Sequence, residues 1–341
     1  MPHTCVLIPG DGIGPEVAAA TQHVLDSSGA PVSWVPAIAG ASALEAGHDG
    51  VLPERTVELI QEHGVALKGP CTTPVGGGYS SVNVALRKRL DLYGAVRPVR
   101  NIEGVPTRFT DVDVVVVREN TEGLYAGIEN EITQGVVTSL KVATEPACER
   151  IARFAFQFAR DRGRRKVTAF HKANILKLSD GMFIRAAQKM SEEFPEIEYD
   201  ERIIDAGCMR LVQDPSDFDI ILSENLYGDV LSDLCAGLVG GLGVTPGANY
   251  GIESAVFEAV HGSAPDIAGQ GLANPLALMM SGVMLLNHLH RSRGDEACGV
   301  AAGRIKEAYN QALLAGEKTA DLGGALSTQA FAEAVIARME G

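Results

Sequence analysis

The sequence predicts an α/β fold in which a mostly parallel sheet is covered by helices on both faces. Short apolar runs typical of buried strands alternate along the 341 residues with amphipathic segments of helical length. The hydrophobic content of 46% is ample for a core, and the length suits two domains or one large α/β unit. The sequence contains no internal repeat and no flexible linker, so a second domain would have to be inserted within the first.

Six apolar runs and two amphipathic segments are interpreted as strands and helices. The predicted strands are 4–8, 65–68, 112–117, 166–170, 197–204 and 218–222, and the predicted helices include 147–161 and 182–193. Two further strands, 124–128 and 135–142, are joined by a polar link at 129–134. A projecting hairpin of this kind is often an oligomerisation arm.

A glycine-rich turn at 9–14 follows the first strand, and a helix opens at Pro15, a favourable first helical position. The full Gly-x-Gly-x-x-Gly spacing of a Rossmann fold is absent, and no acidic residue ends a second strand about 20 residues further on. We therefore expect these glycines to serve a tight turn.

Composition restricts the classes of partner and the compartment. The formal net charge of −14 argues against non-specific binding to nucleic acid or to an anionic membrane. The six cysteines show no Cys-x-x-Cys spacing, as in proteins with reduced thiols. A strand that begins at residue 4 leaves no room for a signal or transit peptide, and the most apolar stretch, 276–286, is too short to span a bilayer. These features predict a soluble cytoplasmic protein.

Two carboxylates, Asp229 and Asp233, follow the strand at 218–222, where we expect a helix to begin. A spacing of four residues places both on one face of a helix. Paired oxygen ligands suit a hard cation such as Mg²⁺ or Mn²⁺. The alternative is that acids near a helix N-terminus only complement its dipole. The apolar residues expected to face the core are Val230, Leu231, Leu234 and Leu238.

A glycine loop at 74–78 leads into a helix whose first turn carries Ser81 and Asn83. Asn83 and Arg87 are four residues apart and share a face, so these side chains and the loop amides can approach one anion at the helix N-terminus. A capped helix with solvated basic residues is the alternative.

Polar residues also follow several predicted strands: Arg118, Lys172, Asp205 and Asp229. Ligands of parallel sheets bind beyond the carboxyl ends of strands, so we expect these residues to converge. Together with Arg97, the arginines suit a small substrate that carries several carboxylates, because guanidinium groups bind carboxylates bidentately.

In order and spacing, these motifs resemble the metal-dependent β-decarboxylating dehydrogenases of the isocitrate/isopropylmalate dehydrogenase family, most closely the NAD-dependent isocitrate enzymes. The likeness extends from about Ile8 to His290. The motifs are Lys68-Gly-Pro, Ser81-x-Asn83-x3-Arg87, Arg97-Pro98, Arg118-Glu-Asn-Thr-Glu-Gly-x-Tyr125, His171-Lys172-Ala-Asn174, Asp205, Asn225-x2-Gly228-Asp229-x3-Asp233 and His261-Gly-Ser-Ala-Pro-Asp266.

The resemblance implies a two-domain α/β fold distinct from the Rossmann fold. A large domain would comprise 1–95 and 243–341, and a small domain 96–242 with a dimer-forming β arm at about 124–142. Lys172 and Asp205 would be supplied to the site by a partner chain, so the resemblance implies a homodimer or a higher homo-oligomer.

The implied reaction is NAD-dependent oxidative decarboxylation of isocitrate to 2-oxoglutarate and CO₂, a step of the tricarboxylic acid cycle. Asp205, Asp229 and Asp233 would hold Mg²⁺ or Mn²⁺, which acidifies the substrate hydroxyl and stabilises the enolate left by CO₂. Lys172 would take the hydroxyl proton, since nearby cations favour its neutral form. Tyr125 would protonate the enolate carbon; its alternative role is packing on the arm.

Substrate binding is assigned by the resemblance to Ser81, Asn83, Arg87, Arg97, Arg118 and Asn174. Ser81 and Asn83 favour isocitrate, because isopropylmalate enzymes place apolar residues there. Ser80 departs from the pattern, since relatives often have arginine at this position. Homoisocitrate, 3-isopropylmalate and tartrate remain alternative substrates, and a non-catalytic regulatory subunit remains an alternative function.

NAD binding is assigned by the resemblance to the segment that begins at His261. Asp266 would accept hydrogen bonds from both ribose hydroxyls and repel a 2′-phosphate, whereas NADP-using relatives are expected to carry lysine and tyrosine at the positions of Asp266 and Ile267. Without the resemblance, Asp266 could be only a surface turn residue. The other expected contacts are Thr73, Gly262, Ser263, Ala264 and Asn274.

Overall fold

The computed structural model describes residues 2–75 and 78–340, in which strands and helices alternate. The strands are β1 (His3–Ile8), β2 (Val32–Pro36), β3 (Val65–Lys68), β4 (Gly94–Arg100), β5 (Asp113–Glu119), β6 (Gly123–Thr133), β7 (Val136–Val142), β8 (Lys166–His171), β9 (Glu198–Ile203), β10 (Ile220–Ser223), β11 (Pro246–Tyr250) and β12 (Ala255–Ala259). The helices are α1 (Gly14–Ser27), α2 (Ala41–Glu45), α3 (Glu54–His63), α4 (Val82–Arg89), α5 (Glu145–Asp161), α6 (Ser179–Glu193), α7 (Ile204–Gln213), α8 (Asn225–Leu238), α9 (Leu276–Arg293), α10 (Glu296–Leu314) and α11 (Thr328–Glu340).

The chain divides into two compact units. The first comprises the residues up to Leu90, Ile102–Arg108 and the segment from Val239 onward. The second comprises Asp91–Asn101 and Phe109–Leu238. The predicted division at 95/96 and 242/243 places Ile102–Arg108 in the small domain, whereas in the structure this segment belongs to the first unit. It packs there, since Lys318 Nζ donates to the Gly104 carbonyl.

The first unit has strands in the order β2-β1-β3-β12-β11. They are parallel except for β11, which pairs antiparallel with β12. The long helix α9 is buried along most of its length and contacts α1, β11 and β12. Gly10 and Gly12 in the turn after β1 have φ angles of 81° and 60°, in the left-handed region, so the predicted tight turn is confirmed.

The second unit has strands in the order β4-β5-β10-β8-β9, with only β4 antiparallel to its neighbour. Ser223 at the end of β10 is aligned with Arg118 on β5 and with Phe170 on β8. The carboxyl ends of these parallel strands therefore lie at one edge of the sheet. The mostly parallel α/β fold predicted from the sequence is confirmed.

Two details of the second unit differ from the predictions. β6 runs to Thr133, so the predicted loop at 129–134 is mostly strand. Its residues are exposed, and without a buried face such a ribbon does not select an apolar pattern. α8 begins at Asn225, so Asp229 lies in its second turn, and Val230 is 56% exposed rather than buried.

We predict that Gly207→Ala destabilises the protein by about 1–3 kcal/mol through overpacking. Gly207 lies in α7, and a β-carbon there would be 2.2 Å from Cε1 of the buried Phe170 ring. Gly303 is the matched control, since it lies in α10 with open space beside it. Gly303→Ala is expected to stabilise by about 0.5–1 kcal/mol. Urea denaturation measures both, and equal effects of the two substitutions would contradict this packing.

Candidate active site

A buried guanidinium forms the centre of a polar cluster in the second unit. Arg118, on β5, donates from Nε and Nη2 to Asn225 Oδ1 at 3.1 and 2.7 Å, and from Nη1 to Asp229 Oδ1. Asn225 is also buried, and its Nδ2 donates to the Glu122 carbonyl at 3.0 Å. A buried charge is tolerated only when it is paired and hydrogen-bonded, and these contacts provide both.

The close approach of α8 to this arginine depends on Gly228. A β-carbon on Gly228 would lie 2.5 Å from Arg118 Cγ and 2.7 Å from Ser223 Oγ. The sequence Asn225-x2-Gly228-Asp229 therefore combines an acceptor for the guanidinium, space for its aliphatic stem and its carboxylate partner within five residues.

Tyr125 belongs to the same cluster, although it lies on the hairpin strand β6. Its hydroxyl donates to Asp229 Oδ2 at 2.5 Å, and the Arg118 guanidinium carbon lies 5.0 Å from its ring centroid. Burial raises the pKa of the Tyr125 phenol, and the hydrogen bond to Asp229 raises it further. The phenol is therefore neutral near pH 7 and retains a proton to give.

Arg97 and Asp233 lie beside Asp229. Arg97 Nη1 is 3.7 Å from Asp229 Oδ1 and 3.6 Å from Asp233 Oδ1, and it donates to Ser232 Oγ. Burial, together with the charge of Asp229, raises the pKa of the Asp233 carboxyl, against the influence of Arg97. The predicted side-by-side arrangement of the two carboxylates on α8 is therefore present.

Asp229 and Asp233 fit a hard divalent cation. Their donors are carboxylate oxygens, the ligands that Mg²⁺ and Mn²⁺ prefer. A carboxylate has about four lone-pair sites, so Asp229 retains capacity beyond its bonds to Arg118 and Tyr125. Within residues 2–75 and 78–340, the only trio of His, Cys, Asp or Glu ligand atoms within 4.8 Å of one another is His3, Asp295 and Cys298. Asp205 thus does not complete a trio with the α8 pair within one chain.

Lys172 and Asp205 form a separate pair at the ends of β8 and β9. Lys172 Nζ donates to Asp205 Oδ2 at 2.8 Å, and this hydrogen bond lowers the pKa of the Asp205 carboxyl. The Lys172 amide donates to Asp180 Oδ2 at 2.7 Å, which fixes the backbone that carries this side chain. Asn174 follows as an exposed residue.

In the first unit, α4 carries the predicted anion-binding residues. Ser81 is its N-cap and accepts from the Val84 amide at 3.5 Å, so the capping interpretation holds for this hydroxyl. Asn83 Oδ1 is buried without a hydrogen-bond partner. Gly76 and Gly77 of the predicted glycine loop lie outside the described residues.

Arg87 points into a buried charge network rather than into solvent. Its Nη2 lies 3.5 Å from Glu258 Oε1, and Lys68 Nζ lies 2.7 Å from Glu258 Oε2. Burial opposes ionisation of Glu258, but Lys68 and Arg87 outweigh it and lower the pKa of Glu258 to about 2. Sequence reasoning missed Glu258, because nothing in its local pattern indicates two cationic partners from distant segments.

The predicted cofactor segment forms a loop with unused polar groups. His261 Nε2 is buried without a partner, and burial lowers the pKa of this imidazole. Gly262 has open space beside it, and Asp266 is exposed on the short helical turn Pro265–Ile267. Ala264 has φ +38°, a left-handed conformation that non-glycine residues adopt rarely and mostly at constrained sites.

Three other predicted cofactor residues are Ser263, Thr73 and Asn274. Ser263 Oγ lies 2.7 Å from Thr72 Oγ1, and Thr73, the next residue, is exposed. Asn274 Nδ2 donates to Asp321 Oδ2 at 3.0 Å. An unpartnered imidazole nitrogen, an open glycine and an exposed carboxylate are groups that a dinucleotide can use, so this loop fits NAD.

Comparison with known proteins gives a consistent result. The family model for isocitrate/isopropylmalate dehydrogenase matches residues 4–335. A Caenorhabditis elegans protein named as a probable mitochondrial isocitrate dehydrogenase (NAD) subunit alpha is 49% identical over 98% of this chain and 91% of its own length. An Arabidopsis thaliana mitochondrial isocitrate dehydrogenase (NAD) catalytic subunit is 46% identical, over 98% of this chain and 88% of its own. The crystal structure of isocitrate dehydrogenase from Methylococcus capsulatus matches with a TM-score of 0.94 and 47% identity, covering 99% of this chain and 100% of that one.

The prediction of a cytoplasmic protein is wrong by this comparison, since the Caenorhabditis elegans and Arabidopsis thaliana relatives are named as mitochondrial proteins. Scattered free thiols indicate a reducing environment, which is not unique to the cytosol, so cysteine usage could not carry that prediction. In the described residues, no helix combines the length and apolarity needed to cross a membrane.

The matched span of residues 4–335 and the 49% identity to a relative are both greater than two proteins need in order to share only a fold. They confirm the predicted two-domain family fold and the resemblance on which it was based. The chain therefore belongs to the isocitrate/isopropylmalate dehydrogenase family.

Proposed function

We propose that this protein catalyses the NAD-dependent oxidative decarboxylation of isocitrate to 2-oxoglutarate and CO₂, as a step of the tricarboxylic acid cycle. The observation that carries the proposal is Asp229, whose carboxylate is bound by Arg118 and Tyr125 and lies beside Asp233 on the same helix. One carboxylate thereby connects a metal ligand pair, an anion-binding arginine and a proton donor. The relatives named as NAD-dependent isocitrate dehydrogenases support the same reaction.

In this proposal, Asp229 and Asp233 hold Mg²⁺ or Mn²⁺ together with Asp205. When bound, such a cation acidifies a hydroxyl and stabilises developing enolate charge. Arg97 and Arg118 bind carboxylates of the substrate, because guanidinium groups bind carboxylates in a fixed geometry. Their existing contacts with Asp229 and Asp233 hold both arginines beside the ligand pair.

Lys172 accepts the hydroxyl proton and Tyr125 later donates a proton to the carbon that loses CO₂. The phenol suits this second role, because its raised pKa keeps the proton in place and its bond to Asp229 fixes the hydroxyl. Lys172 is oriented by its bond to Asp205. Asn174 follows Lys172 closely in the chain and is proposed to orient the substrate or the nicotinamide.

NAD accepts the hydride in this reaction. We propose that the exposed Asp266 binds the adenosine ribose hydroxyls. We also propose that His261 Nε2, which has no partner in the protein, accepts a hydrogen bond from the cofactor. A carboxylate at position 266 repels a 2′-phosphate, which disfavours NADP. Thr73, Gly262, Ser263, Ala264, Ile267 and Asn274 complete the proposed cofactor contacts.

Isocitrate is preferred over a branched alkyl substrate because α4 presents polar groups. Ser81 accepts one hydrogen bond as a helix cap and keeps its own hydroxyl proton free to donate to a carboxylate. Asn83 carries a side-chain NH₂ group that can donate to the same carboxylate, whereas an alkyl group accepts no hydrogen bond. Arg87 is proposed to add positive charge for the same carboxylate.

We further propose a homodimer with shared sites as the smallest active form. Asp205 does not form a ligand trio with the α8 pair in one chain, so the third carboxylate would come from a partner. The hairpin β6–β7 also exposes apolar side chains that a second chain can bury. These side chains are Leu124, Ile128, Ile132, Val136, Val137 and Leu140. The relatives are named as subunits, and a mixed assembly is the alternative outcome.

The purified protein is expected to reduce NAD with isocitrate and Mn²⁺, and EDTA is expected to abolish the reaction. With 3-isopropylmalate, kcat/KM should fall by at least about 100-fold, because its alkyl group leaves the polar groups of α4 without a partner. With NADP, kcat/KM should fall by at least about 100-fold, because Asp266 repels the 2′-phosphate. The absorbance of the reduced nicotinamide measures the reaction rate in each of these assays. Turnover of 3-isopropylmalate but not isocitrate would contradict the α4 assignment. Silence with every substrate would favour a regulatory subunit.

Mixing of two inactive variants tests the shared site. Tyr125→Phe and Lys172→Met are each expected to lower kcat by about 10²–10⁴-fold, since each removes one proton-transfer group. If a site takes Tyr125 from one chain and Lys172 from the other, equal mixing with subunit exchange restores about a quarter of wild-type activity. Tyr227→Phe, on α8, is the control for loss of a phenol hydroxyl and should keep wild-type activity, and native mass spectrometry of the mixture verifies subunit exchange. Failure of the mixture despite verified exchange would place both residues in a site formed by one chain.

A further inference from the structure

The geometry points to Asp11 as a positioning residue for the NAD site. This inference rests on the proposed function, since it takes Thr73 and the loop from His261 as cofactor contacts. Asp11 belongs to the glycine-rich turn after β1, whose sequence predicts only a tight turn. It is 6% exposed, so its carboxylate acts on other protein segments and not on the cofactor directly.

The Asp11 carboxylate joins two other segments, the N-terminus of α2 and the loop at Thr72, through backbone amides. Its Oδ2 accepts from the Thr72 amide at 2.7 Å and from the Ala41 amide at 2.9 Å, and its Oδ1 accepts from the Ser42 amide at 2.9 Å. Gly40 lets this backbone approach closely, since a β-carbon there would lie 2.2 Å from Oδ2. Hydrogen bonds between an ionised carboxylate and amides are about twice as strong as neutral ones, so Asp11 fixes the segment that leads into Thr73.

The same turn also fixes the cofactor loop. The Ile13 amide donates to the Ser263 carbonyl at 2.8 Å, and Thr72, held by Asp11, bonds Ser263 through their hydroxyls at 2.7 Å. Asp11 therefore orders Thr72 directly and Ser263 through Thr72. The residues on either side of these anchors, Thr73 and His261–Gly262, carry the exposed or unpartnered groups assigned to NAD.

A carboxylate is required here because every partner of the side chain is a donor. Asparagine at position 11 would preserve the shape but replace one acceptor oxygen with an NH₂ group, which would face a backbone N–H. The lost hydrogen bond would loosen the loops that the proposed function assigns to the cofactor. The inference therefore predicts an effect on NAD affinity that is separate from the binding of isocitrate.

Asp11→Asn is tested by calorimetric titration of the full-length protein with NAD, and separately with isocitrate plus Mn²⁺. We expect the Kd for NAD to rise by about tenfold, the effect of one lost charge-assisted hydrogen bond, and the Kd for isocitrate to change less than about twofold. In steady-state kinetics the KM for NAD should rise while kcat at saturating NAD is retained. Asp219→Asn is the matched control, since Asp219 also accepts two backbone amides, from Arg165 and Lys166, at 2.6 and 3.1 Å.

Thr72→Val is a second variant, for use if Asp11→Asn fails to fold. It removes the hydroxyl bond to Ser263 and leaves Asp11 in place, and it should raise the Kd for NAD by about threefold or more. Equal loss of NAD and isocitrate affinity, or an NAD loss in Asp219→Asn of the same size, would overturn the inference and leave Asp11 as a stability residue. A wild-type protein that binds isocitrate but no NAD would instead overturn the proposed function.

Discussion

The ion pair between the buried Arg118 guanidinium and the partly exposed Asp229 carboxylate is the interaction on which the candidate site depends. A buried guanidinium is tolerated only with partners, and the chain provides them from one helix, with Asn225 accepting two N–H groups and Asp229 a third. Gly228 leaves the space that this approach needs. The same carboxylate accepts a hydrogen bond from Tyr125. The charge balance of Arg118, the packing of α8 and the position of the proton donor therefore all depend on Asp229 and its neighbours in α8.

Much of the fold followed from pattern, and the exceptions have physical reasons. Buried strands such as β3 and β8 are short apolar runs because both faces are covered, which makes them recognisable. β6 extended beyond its prediction because an exposed two-stranded ribbon places no constraint on polarity. Val230 was expected to face the core from helical periodicity, but burial follows from which face meets the sheet, and the sequence alone does not determine that face.

The candidate site was predictable where chemistry is local and not where it is made by long-range contacts. Asp229 and Asp233 could be found because a spacing of four residues places both on one helix face. The two-partner role of Glu258 and the three-amide role of Asp11 depend on segments far apart in sequence. Compartment could not be derived either, since reduced thiols do not identify which reducing environment holds the chain.

We propose that Asp229 joins metal binding to substrate binding, and a calorimetric titration with Mn²⁺ tests this most directly. Wild-type protein is expected to bind Mn²⁺ at least about tenfold more tightly with isocitrate present, because both share one coordination shell. Asp229→Asn should lose that difference while NAD still binds. If Asp229→Asn keeps the wild-type Mn²⁺ affinity with isocitrate present, Asp229 is not a metal ligand and the central claim is contradicted.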